Sequence, residues 1–225
     1  MTELNTRGEV PWLTGRPEDA GDTYGRLLAA ALTTFAARGY HGTTTRDIAG
    51  LAGVSPAALY VHFPSKADVL ETIMRAGLDA ALRVLVASLD GVVGPVPRMH
   101  RLVHAFVSWH AEHCAVARVV QYAFPGLDES RRAEIIGIRR QFDQVVRDEI
   151  EAGVAAGDFD VTDSRDAARA VLSLAIDVSR WYSDRSRMSP EELADAYAEL
   201  VVRMLGVPAD TATALRAANG ARRSG

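Results

Sequence analysis

A single cysteine, Cys114, stands in the 225-residue chain, so no intrachain disulfide can form and a reducing, cytoplasmic setting is expected. Long apolar runs are also missing. Charge interrupts every hydrophobic stretch before the ~18 residues a membrane helix needs, so neither a span nor a membrane partner is expected. The opening MTELNTRGEVPWLTGRPEDAG mixes acids with bases around no apolar core, which argues against a signal or transit peptide. No sign of charge is in large excess. The formal net charge is −4, so any nucleic-acid site must be local rather than a property of the whole surface. The GxSxG, Walker and dinucleotide motifs are absent, as are HExxH and CxxC. Nothing therefore positions catalytic or metal chemistry, and no enzyme activity, cofactor or metal is expected. Strand signals are nearly absent. What is present is a 48% hydrophobic composition, enough for a sizeable core in one or two domains, and long Ala, Leu, Arg and Glu runs that argue for an all-α fold.

Residues 1–18 mix Thr, Gly, Pro and charge without a period and read as a flexible arm. From Ala20 a helix is predicted, with Leu27, Leu28, Ala31, Leu32 and Phe35 at helical spacing and Gly39 as the stop. Ser65, with Asp68 three residues on, caps a helix running to about Leu89, where Gly91, Gly94, Pro95 and Pro97 break it. Further helices are predicted over about Arg98–His113, Val116–Ala123 and Asp128–Ala156, and from Asp163 or Thr162 to about Asp184. Ser189-Pro190-Glu191-Glu192 is a capping-box start for a last helix to about Leu205, and residues 207–225 read as a flexible tail.

The stretch TTTRDIAGLAGVSPAALYVHF, residues 43–63, holds two helix starts within about twenty residues. Thr44 caps the first, with Asp47 favouring its positive end, and Gly53 ends it in a left-handed turn. Ser55-Pro56 starts the second, and Leu59 and Phe63 face one way, so the segment reads as a helix-turn-helix. Helices this short are marginal alone and must be held by their neighbours. Pro56, Ala57 and Ala58 carry little bulk, so the second helix can enter a duplex major groove, with the alanines against thymine methyls. Ser55 can reach a base edge or phosphate. Tyr60, His62 and Lys66 can bond phosphates, and the short helix N-termini offer N–H groups to them.

The run FAARGYHGTTTRDIAGLAGVSPAALYVHFPSKADVL is similar to the DNA-binding domain of the tetracycline-repressor (TetR) family, over about residues 24–70. The matching features are the phenylalanine and RG before the second helix, TTxRDIA, AGVS, LYxHF and SK. The resemblance implies a three-helix head over residues 19–66, with Ser55 to Val61 as recognition helix. It implies DNA contacts from Thr44, Thr45, Arg46, Tyr60, His62 and Lys66, and a double-stranded operator as partner. Tyr60 can instead pack, Thr44 and Ser55 can serve only as caps, and Arg46 can pair with Asp47 or Asp19. The head itself is neutral: over residues 19–68, Arg26, Arg38, Arg46 and Lys66 balance four aspartates. Affinity must come from placing a few cations on one face, with Arg7 and Arg16 of the arm as further candidates.

Residues 67–206 are expected to form a helical ligand-binding and dimerisation body. By the same resemblance its last two helices pair across a two-fold to make a homodimer, and stripes at Ala167, Ala170, Val171, Leu174, Val178 and at Leu193, Tyr197, Leu200, Val201, Met204 permit it. Ligand-pocket candidates are Phe106, Trp109, His110, His113, Tyr122, Phe142 and Trp181, aromatic walls with a few polar ends. The ending WYSDRSRMSPEELADAYAEL is similar to TetR-type regulators of acyl-CoA thioesters, for which Arg180, Arg185 and Arg187 can meet phosphates; another lipophilic effector fits equally. His100 with His104, and His110 with His113 beside Cys114, have metal-ligand spacing but lack third and fourth ligands. The expected function is a DNA-binding regulator, a repressor released from a palindromic operator by a small lipophilic effector. The alternative is a helical small-molecule enzyme or ligand-carrying module that keeps the head as scaffold.

Overall fold

The computed structural model describes residues 22–183 and 185–212. The expected arm, with Arg7 and Arg16, lies outside the described residues, as do Asp184 and the tail from 213 onward. Among the described residues the secondary structure is helical throughout, with no strand. The helices are α1 (Asp22–Arg38), α2 (Thr45–Leu51), α3 (Pro56–His62), α4 (Lys66–Ala87), α5 (Pro95–Glu112), α6 (Cys114–Tyr122), α7 (Glu129–Ala156), α8 (Ser164–Trp181) and α9 (Pro190–Met204), with a 3-10 turn at Phe124–Gly126.

The described residues form two compact units, one from residues 22–80 with His113–Ile138, the other from Ala81–Glu112 with the described residues from Arg139 onward. The sequence divides the chain at residue 66; the structure instead groups α6 and the first turns of α7 with the helix-turn-helix. In that first unit Leu27, Leu28, Ala31 and Phe35 of α1 are buried together with Ile48, Ala49, Leu59, Phe63, Val69 and Leu70. The marginal helices α2 and α3 thus exist by burying one face each. Gly39 (φ 72°) and Gly53 (φ 69°) take the left-handed turns that end α1 and α2, a conformation glycine adopts without a Cβ penalty. Thr43, buried at the base of the α1–α2 turn, donates its hydroxyl to Gly39 O and Thr34 O.

The cap of α2 is stronger than the sequence suggests. Asp47 N–H donates to Thr44 Oγ1 at 3.1 Å, and Asp47 Oδ2 accepts from Thr44 N–H at 2.8 Å, a capping box closed by aspartate instead of glutamate. Ser55 caps α3 through Ala58 N–H at 3.2 Å with Pro56 at the first position. The Tyr40 ring lies against Gly126 so closely that a Cβ there would be 2.4 Å from it, so only glycine fits at the end of the 3-10 turn.

In the second unit α5 packs chiefly on α9 and then on α8. It begins at Pro95, three residues before the predicted start. Pro95 and Pro97 sit in its first turn, where a missing N–H removes no helical bond. Arg98 ties this start down, bonding Glu149 through Nε and Nη2 at 2.7 and 2.6 Å and the carbonyls of Leu89 and Val92. Helix α8 stops at Trp181, short of Asp184, because Tyr182 turns extended and donates its hydroxyl to Met188 O at 3.0 Å. Ser189 and Glu192 form the expected capping box of α9. The first residues of the expected tail are ordered: residues 209–212 are helical, Val207 and Ala212 are buried, and Val207 N–H bonds Val202 O.

Candidate nucleic-acid interface

One face of the helix-turn-helix is open. Thr44, Arg46, Ser55, Pro56 and Ala57 are exposed, and Ala58 is half-buried, while Leu59, two positions after Ala57, is fully buried. The small residues of α3 therefore point outward and the large one inward, which is the pattern a groove-entering helix requires. Tyr60 is 53% exposed, and its hydroxyl lies 3.2 Å from Thr45 Oγ1, so α2 and α3 present their polar ends together. Val61 is 81% exposed, the most exposed large hydrophobic residue on α3. Sequence reasoning passed over it because a valine reads as core; its place four residues after Ala57, on the side away from Leu59, is the signal that finds it.

The cations of the head differ in what they hold. Arg46 is exposed. Arg38 faces Asp47 at 3.5 Å, and Arg26 bonds Ala52 O and Thr23 Oγ1. Hydrogen bonds from Thr44 hold the Asp47 carboxyl below its usual range. Lys66 also carries an internal duty. Two of its three donors go to the carbonyls of Tyr40 and Thr43 at 2.8 and 2.7 Å, with the ammonium 4.2 Å over the Tyr40 ring, and burial lowers its pKa. It is first a strut beneath the α1–α2 turn, with one donor left for a phosphate. His62 is half-buried, edge-on to Tyr24, which itself stacks on Phe63 at 5.0 Å.

The expected pocket residues are divided between the two compact units. Phe106, Trp109, His110 and Phe142 are buried together in the second unit, with Phe106 5.5 Å from Phe142 and 4.3 Å from His110. His110 donates Nδ1–H to Phe106 O at 2.8 Å, which sets its tautomer. Trp181 is 45% exposed and lies 6.4 Å from Tyr197. Tyr122 and His113 belong to the first unit; Tyr122 is 63% exposed, and burial lowers the His113 pKa. Half-buried Arg139, one turn before Phe142, was missed; burial lowers its pKa, and a basic residue within the apolar stripe Ile135, Ile138, Phe142 and Val146 is the signal. Arg180 pairs with Asp177 at 2.7 and 2.9 Å, and Arg185 and Arg187 are exposed.

Among the described residues no three His, Cys, Asp or Glu side chains are grouped to hold a metal ion. His100 is fully buried, and desolvation, reinforced by His104, pushes its pKa down to about 4. No described helix is long and apolar enough to cross a membrane.

Comparison with known proteins agrees with this geometry. Residues 27–73 match the family described as bacterial regulatory proteins, tetR family, and residues 93–205 match the tetracyclin repressor-like C-terminal domain. The chain belongs to the TetR family and is a DNA-binding transcription regulator with a helix-turn-helix head and a helical body. It is 30% identical over 203 residues to the HTH-type transcriptional repressor KstR2 of Rhodococcus jostii, covering 85% of this chain and 98% of that protein. A solved tetR-family regulatory protein from Rhodococcus RHA1 is 39% identical, with TM-score 0.80 over 84% of this chain and 100% of that one. AibR, solved in complex with isovaleryl coenzyme A and operator DNA, shares the fold at 20% identity, with TM-score 0.74 over 80% of this chain and 97% of its own.

Proposed function

We propose that the chain is a homodimeric repressor that occupies a palindromic operator and leaves it when a lipophilic effector binds the body, rather than an enzyme or a ligand carrier. The observation that carries this reading is the bare outward edge of α3, Pro56 and Ala57 with Ser55 before them, flanked by Arg46 and Tyr60. Ala57, Ala58 and Val61 meet base edges and thymine methyls; Thr44, Thr45, Arg46, Ser55, Tyr60 and His62 meet the backbone; the spare donor of Lys66 adds a phosphate contact. Dimerisation through α8 and α9 places two recognition helices one duplex turn apart, about 34 Å. An acyl-CoA is the effector class we favour. The acyl chain suits the aromatic cluster of Phe106, Trp109, His110 and Phe142, the anionic moiety suits Arg139, and a fold relative is known with such a ligand. Helices α4 and α7 each contribute residues to both compact units, so a tilt imposed on either reaches the head. Effector binding then shifts the population toward a spacing that docks only one recognition helix at a time.

The test uses a duplex that the wild-type chain selects from a random library, with affinity measured by fluorescence anisotropy at fixed salt. Ala57→Glu places a carboxylate on the exposed edge without disturbing the core and should abolish binding while the circular dichroism spectrum stays helical. Wild-type affinity in that variant would overturn the reading. Native mass spectrometry of the purified protein, followed by titration of the mass it reports into the protein–duplex complex, tests the effector.

A further inference from the structure

We infer that Arg131 is a positioning residue for operator binding, clamping the first turns of α4, and through Lys66 the helix-turn-helix, to the start of α7. The inference rests on the proposed dimeric repressor. Arg131 Nη2 donates to Asp68 Oδ1 at 2.6 Å and Nε donates to Glu71 Oε2 at 2.8 Å, so one guanidinium bridges successive turns of α4. Its Nη1 pairs with Asp128, which also accepts the Arg131 backbone N–H at 3.0 Å and so caps α7. A second arginine extends the chain: Arg75 of α4 reaches Glu71 at 3.3 Å and pairs with Glu134 of α7. The two helices are thus stitched at two levels by side chains of alternating sign. Arginine suits this role because its planar fork serves several carboxylates in fixed directions.

The clamp sits on the residues that orient the head. Asp68 also accepts the Ser65 hydroxyl at 2.6 Å, which caps α4. Next to Ser65 stands Lys66, whose ammonium holds the carbonyls of Tyr40 and Thr43, both in the turn before α2. Tyr40 in turn rests on Gly126, two residues before Asp128. Two routes therefore join the start of α7 to the turn before α2, one through the Arg131–Asp68 ion pair and the first turn of α4 to the Lys66 ammonium, the other steric through Gly126 and Tyr40. The ionic route is partly exposed, with Arg131 29% and Glu71 21% accessible. It is weak as a source of folding stability and well suited to setting an angle. Four carboxylates, Asp68, Glu71, Asp128 and Glu134, share two guanidiniums. Loss of Arg131 leaves that excess of negative charge between α4 and α7, which drives them apart.

The experiment uses full-length wild type, Arg131→Ala and Arg131→Lys with the duplex selected by wild type, and with versions carrying one base pair inserted or deleted between the half-sites. Arg131→Ala should bind the selected duplex about tenfold more weakly and discriminate less between the three spacings, while its circular dichroism spectrum stays helical. Arg131→Lys keeps the charge without the fork and should fall between. A merely structural role would lower affinity for all spacings alike and leave their ranking intact, which would overturn the inference, as would wild-type affinity and ranking in Arg131→Ala. Should that variant not fold, the isosteric Glu71→Gln removes one receiver of the clamp and is expected to flatten the spacing preference in the same sense; an unchanged preference overturns the inference. Selection of no duplex by the wild type would overturn the repressor reading itself, and the inference with it.

Discussion

Replacing Arg46 with alanine should change the salt dependence of operator binding while leaving the fold intact. The head spans residues that are neutral in sum, so few cations are available for phosphates. Arg26 is bonded to Ala52 O and Thr23, Arg38 faces Asp47, and Lys66 holds two carbonyls. Arg46, exposed in the first turn of α2 beside Thr44, is the one positioned to neutralise backbone charge with little internal duty. Each phosphate neutralised contributes about 0.9 to the slope of log affinity against log salt, and a dimer carries the residue twice, so Arg46→Ala should flatten that slope by about 1.8. Between 50 and 200 mM salt, a fourfold change, wild type should lose about twelvefold more affinity than the variant. Anisotropy titrations of both proteins across that range, on one duplex, measure the two slopes. Parallel lines would refute the assignment of Arg46 to a phosphate, whatever the change in affinity at any single salt.

Two further outcomes follow from burial. Leu59, fully buried beneath α3, should cost about 2–5 kcal/mol of stability on replacement by alanine, seen as an earlier urea midpoint. Val61→Ala, three-quarters or more exposed, should stay within about 0.5 kcal/mol yet alter the base preferred at one position of a selected site. His100 gives a pH effect of defined sign. Folded, its pKa lies at about 4 against the ordinary 6.5, so between those values the unfolded chain holds the extra proton and stability falls as pH is lowered from about 6.5 toward 4, by at most about 3 kcal/mol. His100→Gln should flatten the urea stability profile over that window; an unchanged profile would show that His100 does not set it.

Much of the head was legible because its determinants are local. Serine or threonine caps, Pro56 at a first helical position and Gly53 in the turn act within a few residues, so α2 and α3 could be read with little ambiguity. What was not legible lies where partners are far apart in the chain. Lys66 carries an SK motif that reads as a phosphate ligand, but its carbonyl partners lie 26 and 23 residues away and enter no local pattern. Arg131 stands on a helix full of charge, and its bond to Asp68 spans 63 residues. The placement of the body's aromatic residues was hidden for a different reason. Spacing of three and four places a ring on a helix face but not the face in the molecule, so buried Phe106 and exposed Tyr122 look alike in sequence.

The interleaving of α6 and the beginning of α7 with the first three helices bears on how chimaeric regulators are built. A graft cut at residue 66, where motif and body divide on paper, would carry away the DNA-reading element without Gly126 and Arg131, the pieces against which it is braced. Transplanting the recognition surface onto another body should therefore move residues 113–138 along with it, or redesign that brace in the recipient.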